Sequence, residues 1–484
     1  KPGAKPGEAK PDPKPAPPGE FNAQNAEVYG VYRENEFRSP KVAALSTFSA
    51  DVNTASYSNV RRMLNDGQLP PASAVFLAEF VNYFPYQYAQ PKGDDPVAFY
   101  VEMGPCPWNR HHHLVRIGVQ AYQIPADKMP ARNLVFLIDT SGSMSAPNRL
   151  PLVKKSLELL VDKLTEKDRV SIVTYAGDSR VALVPTKGND KKTILDVVTS
   201  LRAEGSTNGE GGITKAYQLA QDTFLQDGVN RVILCTDGDF NVGVTDNGDL
   251  VKLIEEKRKS KVFLTILGYG MGNYKDDRLK ELANHGNGHH AYIDTIEEAR
   301  KVFVEQGGAL VCVAKDVKFQ VDFNPAKVNA YRLVGYENRL LKDEDFKNDA
   351  KDAGDMGSGH QVTVLYEIVP AGVKIDLPDV EVSKYQQPKD KDGKDAFADE
   401  WMTVRMRYKH PEAEVSKQLE TALKGAVAKE LTEDFRFASA AASFGMILRD
   451  SKFRGAMTYA GVLEEAQGCL TFDPNGHRKQ FLEL

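Results

Sequence analysis

Three oxygen-bearing side chains occur at two-residue intervals directly after an apolar run in the sequence LVFLIDTSGSM, residues 134–144. They are Asp139, Ser141 and Ser143. Because alternate residues of an extended or loosely turned backbone point in the same direction, the carboxylate and the two hydroxyls can converge on one small, hard cation. An ordinary turn after a strand uses the same residue types, so this segment alone leaves both interpretations open.

Two later segments offer further oxygen ligands. The apolar run RVILCT is followed by Asp237, and the polar sequence GSTN, residues 205–208, contains Thr207. In a parallel α/β sheet, the loops at the carboxyl ends of the strands share one edge, which is where such sheets bind ligands. We therefore expect the three segments to meet at one edge of a sheet.

The sequences DTSGSM, GSTN and TDGD, in this order, resemble the metal-ion-dependent adhesion site of von Willebrand factor type A domains, here called A domains. The resemblance implies a site for one divalent cation, Mg²⁺ with Mn²⁺ or Ca²⁺ as alternatives. In that family the hydroxyls typically bind the metal directly, whereas the carboxylates often act through water. The remaining coordination place would accept an Asp or Glu side chain of a partner protein. The implied metal ligands are Asp139, Ser141, Ser143, Thr207 and Asp237.

The elements that must position these residues follow from the hydrophobic pattern. Residues 132–310 alternate apolar strands with amphipathic helices, and this βαβα order implies a doubly wound parallel sheet that helices cover on both faces. The segment SRVALVPTK is expected to form a hairpin with the preceding strand DRVSIVTYA. The fold class of this part is therefore α/β, of the Rossmann-like kind.

Strands of a different type flank this domain. Residues 97–122, and several segments after residue 312, alternate apolar and polar residues with a period of two. Because an isolated hairpin is only marginally stable, we expect one discontinuous β-sandwich into which the A domain is inserted. The predicted regions are a disordered Pro/Lys-rich tether (1–20), an N-terminal region of helices and first sandwich strands (21–131), the A domain (132–310), the rest of the sandwich (311–412) and a C-terminal helical region (413–484).

Local patterns in the flanking regions give further expectations. The segments SYSNVRRMLNDG and ASAVFLAEFVNYF predict helices, and Ser56 is expected to cap the first of them. Three adjacent histidines, residues 111–113, cannot all face one metal from a strand, so a solvated strand entry is predicted there. The four cysteines are widely spaced and form no CxxC pair, which indicates neither a disulfide scaffold nor a zinc site.

The flanking sequences also carry a resemblance. STFSADVNTASYSNVRRMLNDGQLPP and DFRFASAAASFGMILRDSKFRG resemble the regions before and after the A domain in a YfbK-like group of bacterial envelope proteins and lipoproteins. The function of these flanking regions in the group is unassigned. The resemblance implies a location in the bacterial cell envelope or at its surface, with a lipid anchor upstream of residue 1 as one option.

Composition narrows the classes of partner. With 62 Lys and Arg against 67 Asp and Glu, the net charge is −5 and no long block of one sign occurs, so nothing favours nucleic acid or acidic lipid as a ligand. No apolar run approaches the roughly 18 residues that a transmembrane helix needs.

The predicted function is metal-dependent adhesion or protein–protein interaction, and the chain is interpreted as not an enzyme. Hydrolysis would need a nucleophile or base beside the metal, and the carboxylates considered for that role are Glu210 and Asp239, which lie close to the ligands in sequence. Two alternatives stay open. One is a structural subunit of an envelope complex in which the metal only stiffens the loops, and the less favoured one is a metal-dependent hydrolase.

Overall fold

The computed structural model describes residues 27, 29, 33–50, 53–205, 209–238, 247–271, 276–375 and 397–484. Within these ranges the chain forms one mostly parallel sheet with helices on both faces, two antiparallel sheets and a layer of helices. This arrangement confirms the predicted fold class, an α/β domain inserted in a discontinuous sandwich. In the described residues, no helix combines the length and the apolar composition that crossing a membrane requires.

The N-terminal region combines strands with the two expected helical segments. The second of these is shorter than its sequence pattern suggests, because a 3-10 turn at residues 72–74 and two extended residues, Val75 and Phe76, precede the helix. The elements are β1 (Leu45–Ser49), α1 (Ala55–Asn65), α2 (Leu77–Val81), β2 (Val97–Pro105) and β3 (His113–Ala121).

The six strands of the A domain follow. They are β4 (Arg132–Asp139), β5 (Arg169–Tyr175), β6 (Ser179–Lys187), β7 (Val229–Thr236), β8 (Phe263–Tyr269) and β9 (His290–Ile293). Across the sheet the order is β6-β5-β4-β7-β8-β9. All neighbours are parallel except β5 and β6, which form the predicted antiparallel hairpin.

Helices cover both faces of this sheet, which is why β4 reads as a continuous apolar run. The helices are α3 (Leu150–Val161), α4 (Lys191–Ser200), α5 (Gly209–Asp222), α6 (Asn247–Arg258), α7 (Asp276–His285) and α8 (Ile296–Arg300). Leu134, Phe136 and Ile138 pack with α3 and α4, whereas Val135 and Leu137 pack with α5, α6 and α7. All five side chains are at most 1% exposed.

The chain enters and leaves the A domain at the same edge of the sheet. Where it enters, the carbonyl of Ala131 accepts a hydrogen bond from Val229 N. Where it leaves, the carbonyl of Leu310 accepts one from Arg231 Nη2 at 3.1 Å. The two donors, Val229 and Arg231, are the first and third residues of β7. The two connections to the sandwich therefore lie side by side at the amino ends of the strands.

The sandwich strands and the C-terminal helices complete the chain. They are β10 (Cys312–Phe323), β11 (Val328–Val334), β12 (Gly354–Gly357), β13 (Gln361–Pro370), β14 (Glu400–Lys409), β15 (Lys417–Lys424), α9 (Glu433–Leu448), α10 (Tyr459–Gln467) and α11 (His477–Phe481). One sheet has the order β1-β10-β14-β15, with β12 also paired to β10, and the other has the order β11-β13-β3-β2. Strands from before and after the A domain thus share each sheet.

Strand β15 lies beyond residue 412, where the sandwich was expected to end and a helical region to begin. Its sequence KQLETALK consists largely of residues that also form helices. The segment forms a strand because β15 pairs with β14 over its whole length and its Leu423 side chain faces the sandwich core.

Two local expectations are wrong. Ser56 is not the cap of α1, which begins one residue earlier; instead its backbone N–H donates to Glu79 Oε2 at 2.8 Å and its hydroxyl donates to the carbonyl of Ala74. His112 is not solvated but 7% exposed, with Nδ1 at 2.5 Å from Glu367 Oε1. In both cases the partner is distant in sequence, so the local pattern does not reveal it.

Buried ion pairs join the N-terminal helices to the A domain. Arg61 of α1 donates from Nε to Asp294 Oδ2 at 2.9 Å and from Nη2 to Glu298 Oε2 at 2.8 Å. The hydroxyl of Tyr83 accepts from Arg61 Nη1 and donates to Glu298, each at 2.6 Å. We call Arg61, Tyr83, Asp294 and Glu298 the Arg61 clamp; its two carboxylate side chains are at most 2% exposed.

Candidate metal site

The first candidate ligand, Asp139, is the last residue of β4 and is fully buried. Its Oδ1 accepts the backbone N–H of Ser141 at 2.9 Å. Its Oδ2 accepts the hydroxyl of Tyr175 from β5 at 3.1 Å and lies 3.5 Å from the hydroxyl of Thr236 on β7. The strands on both sides of β4 therefore orient this carboxylate, and all three donors are neutral groups.

The loop after β4 brings its two serines together. Ser141 is 2% exposed and Ser143 is exposed, and their Oγ atoms lie 3.0 Å apart. The residues Gly142–Ser145 form a 3-10 turn, which folds the loop back so that both hydroxyls reach one point. This proximity is what the two-residue spacing predicts.

The segment that leads to Thr207 is bonded to the same loop. Glu204 N donates to the carbonyl of Thr140 at 2.7 Å, and Gly142 N donates to the carbonyl of Gly205 at 3.0 Å. Thr207 itself lies outside the described residues, as does Asp239. The role of Thr207 as a metal ligand stays a prediction.

Asp237 follows β7, the strand next to β4, and is 2% exposed. The next residue, Gly238, has φ of 97°, a conformation that suits glycine and lets the chain turn directly after the carboxylate. Oδ2 of Asp237 lies 2.9 Å from Nη1 of Arg149, the residue immediately before α3. Sequence reasoning missed Arg149, and no local pattern marks it, because its partner is a distant residue of another strand.

The electrostatics of the site centre on Asp139. Burial raises its pKa to about 6, and the nearby charge of Asp237 acts in the same direction, while hydrogen bonds from Ser141 and Tyr175 partly oppose the shift. A bound cation would favour the ionised form of both carboxylates.

The donor set fits a hard divalent cation. Two buried carboxylates and two converging hydroxyls supply only oxygen, the ligand type that Mg²⁺, Mn²⁺ and Ca²⁺ prefer. Among the residues that the structure describes, no group of three or more His, Cys, Asp or Glu side chains could hold a metal, and all four cysteines are unpaired thiols. A cation at this site would therefore depend on the hydroxyls.

Comparisons with known proteins match almost the whole chain. The family model "von Willebrand factor type A domain" matches residues 133–306, "von Willebrand factor" matches 23–116, and "Uncharacterized protein YfbK, C-terminal" matches 308–484. "Uncharacterized protein YfbK" of Escherichia coli (strain K12) is 41% identical over 464 residues, which cover 94% of this chain and 80% of that protein.

Other matches are more distant in sequence. Human "Inter-alpha-trypsin inhibitor heavy chain H4" is 29% identical over 147 residues, 29% of this chain and 16% of that protein. Among solved structures, "von Willebrand factor type A from Catenulispora acidiphila" is 15% identical, with coverage of 79% of this chain and 89% of that chain and a TM-score of 0.40.

Proposed function

Because this chain belongs to the YfbK family of von Willebrand factor type A proteins, we propose that it binds a partner protein through a divalent cation at the carboxyl ends of β4 and β7. The observation that carries this proposal is the convergence of buried carboxylates and paired hydroxyls at one edge of the sheet. The proposed ligands are Asp139, Ser141, Ser143, Thr207 and Asp237, and the proposed cation is Mg²⁺, with Mn²⁺ or Ca²⁺ as alternatives.

The charges of the ligands favour an acidic partner. Asp139 and Asp237 balance a divalent charge, whereas the serine and threonine hydroxyls add oxygens without charge. A hard dication held in this way would remain electrophilic at its remaining coordination place, and a carboxylate is the preferred ligand there. The partner is therefore expected to present an Asp or Glu side chain.

A binding module is favoured over an enzyme. The hydrogen-bond donors to Asp139 are neutral groups of Ser141, Tyr175 and Thr236, and none of these groups is a general base. Metal-dependent phosphatase or ATPase turnover that is lost in Asp139→Ala would contradict this part of the proposal. A location in the bacterial envelope belongs to the same proposal and rests on the resemblance of the flanking sequences.

The decisive experiment is a pulldown from a native envelope fraction with the full chain, in Mg²⁺ and in chelator. We expect specific partners in Mg²⁺ that are lost in chelator and with Ser141→Ala. Ser145→Ala is the matched control, because Ser145 is an exposed serine of the same turn outside the ligand set. Circular dichroism verifies that each variant is folded.

The structural alternative makes the opposite prediction. If the cation only stiffens the loops, the same partners are captured in chelator and by Ser141→Ala as long as the protein stays folded. That result would overturn the proposed metal-mediated contact.

A further inference from the structure

One guanidinium connects three segments at the candidate metal site. Besides its contact with Asp237, Arg149 donates from Nη1 to the carbonyl of Ser143 at 2.6 Å and from Nη2 to the carbonyl of Met271 at 2.7 Å. Ser143 belongs to the loop after β4, and Met271 lies two residues after the end of β8. Arg149 is thus a cationic side chain in direct contact with a proposed ligand.

The position of this side chain is built into the packing. A Cβ atom at Gly270 would lie 2.4 Å from Nε of Arg149, and Gly270 has φ of 78°, so glycine leaves the space that the side chain fills. The Arg149 side chain is only 16% exposed. A guanidinium held in this way keeps its charge beside Asp237 rather than moving into solvent.

Building on the proposed function, we propose that Arg149 tunes the cation affinity of the site, because its guanidinium and the divalent cation share the carboxylate of Asp237. Two positive groups on one carboxylate repel each other, so Arg149 weakens cation binding and keeps it reversible. The charges of Asp139, Asp237 and Arg149 leave one net negative charge, and a bound dication turns this into one net positive charge. The loaded site then attracts an acidic partner more strongly than a neutral site would.

The test is calorimetric titration of Mg²⁺ alone into the full chain after chelator treatment. Arg149→Met and Arg149→Gln remove the charge and are expected to tighten Mg²⁺ binding by about tenfold. Arg149→Lys keeps the charge and is expected to stay close to wild type. Arg169→Met is the matched control, because Arg169 is an exposed arginine at the opposite end of β5 and its loss changes the net charge equally.

A second measurement separates charge from positioning. In chelator, Arg149→Met leaves the carboxylate of Asp237 without its guanidinium, so the urea midpoint is expected to fall below that of wild type. In saturating Mg²⁺ the difference is expected to shrink, because the cation takes over that carboxylate. A purely structural arginine would lower the midpoint equally in both conditions.

Each outcome bears on a definite statement. If wild type binds Mg²⁺ and neither Arg149→Met nor Arg149→Gln binds it more tightly, the tuning role is overturned and the proposed function is unaffected. If neither wild type nor the variants bind Mg²⁺, and titrations with Mn²⁺ and Ca²⁺ also show no binding, the proposed function is overturned and the tuning role falls with it.

Discussion

Two buried carboxylates, Glu298 in the Arg61 clamp and Asp139 at the candidate metal site, have pKa values shifted in opposite directions. Burial raises the pKa of Glu298, but the charges of Lys301 and Arg61 and the hydrogen bond from Tyr83 outweigh it, so the pKa is lowered. At Asp139, where the hydrogen-bond donors are neutral, burial prevails and raises the pKa to about 6.

The opposite pKa shifts distinguish a structural ion pair from a site that is suited to bind a ligand. Glu298 receives its positive charge from the protein, and its ionised form helps to fasten α1 to the A domain. Asp139 ends β4 and is oriented by hydrogen bonds from β5 and β7, but these partners are neutral and leave its ionised form unfavourable. A site that is ordered but short of positive charge is suited to bind a cation.

The largest effect is expected from breaking the clamp. Arg61→Met leaves Asp294 and Glu298 buried without their guanidinium, which is expected to lower the free energy of unfolding by about 3–5 kcal/mol. Urea denaturation measures it. Lys192→Met is the control, since Lys192 and Asp196 form an exposed pair (85% and 63%) that is expected to contribute little to stability. Equal decreases in the free energy of unfolding of Arg61→Met and Lys192→Met would show that the buried clamp contributes no more to stability than an exposed ion pair.

The pH dependence of stability should differ between wild type and Asp139→Asn in chelator. The folded-state pKa of Asp139, about 6, is above the unfolded value, so its stabilising contribution is complete below about pH 3 and is lost as the pH rises through 6. Wild type is therefore expected to lose about 3 kcal/mol relative to the variant between pH 3 and pH 7. If the urea midpoints of wild type and Asp139→Asn changed in parallel across this pH range, the raised pKa of Asp139, and with it the contrast with Glu298, would be contradicted.

Addition of metal should stabilise only the protein with an intact site. At Mg²⁺ concentrations about 100 times the dissociation constant, the free energy of unfolding is expected to rise by about 2.7 kcal/mol in wild type. Asp139→Asn should not respond, whereas Arg61→Met should respond as wild type does, because the clamp holds no proposed ligand. Thermal unfolding with and without Mg²⁺ measures this. A response of Asp139→Asn equal to that of wild type would place the cation elsewhere.

The smallest effect on stability is expected at Ser143. Because this side chain is exposed, Ser143→Ala should change the free energy of unfolding in chelator by no more than about 0.5 kcal/mol. Mg²⁺ affinity should nevertheless fall, since a proposed ligand is lost. Calorimetric titration beside urea denaturation tests both statements, and a variant with unchanged affinity would remove Ser143 from the ligand set.

The parts of this molecule that the sequence predicts are those fixed by local periodicity. A continuous apolar run predicts β4, and alternation of apolar and polar residues predicts the sandwich strands. The two-residue spacing of Asp139, Ser141 and Ser143 predicts that their side chains converge. The discontinuous sandwich could be inferred because an isolated hairpin needs partners.

The rest depends on partners far apart in the chain. His112 is buried because Glu367 of another strand receives it, and Arg149 matters because Asp237 lies beside it after folding. The segment of β15 forms a strand because it pairs with β14 at the edge of the sheet. None of these contacts leaves a periodic signal, so side-chain pairing across elements was the part that sequence reasoning missed.

The two connections between the A domain and the sandwich lie side by side at the amino ends of the strands, while the candidate site is at their carboxyl ends. A force that a partner applied at the site would therefore act along the strands and reach both connections together. Tilting of the domain about these connections would also have to break its buried contacts with the N-terminal helices, among them the Arg61 clamp and the ion pair of Lys280 with Glu79 at 2.7 Å.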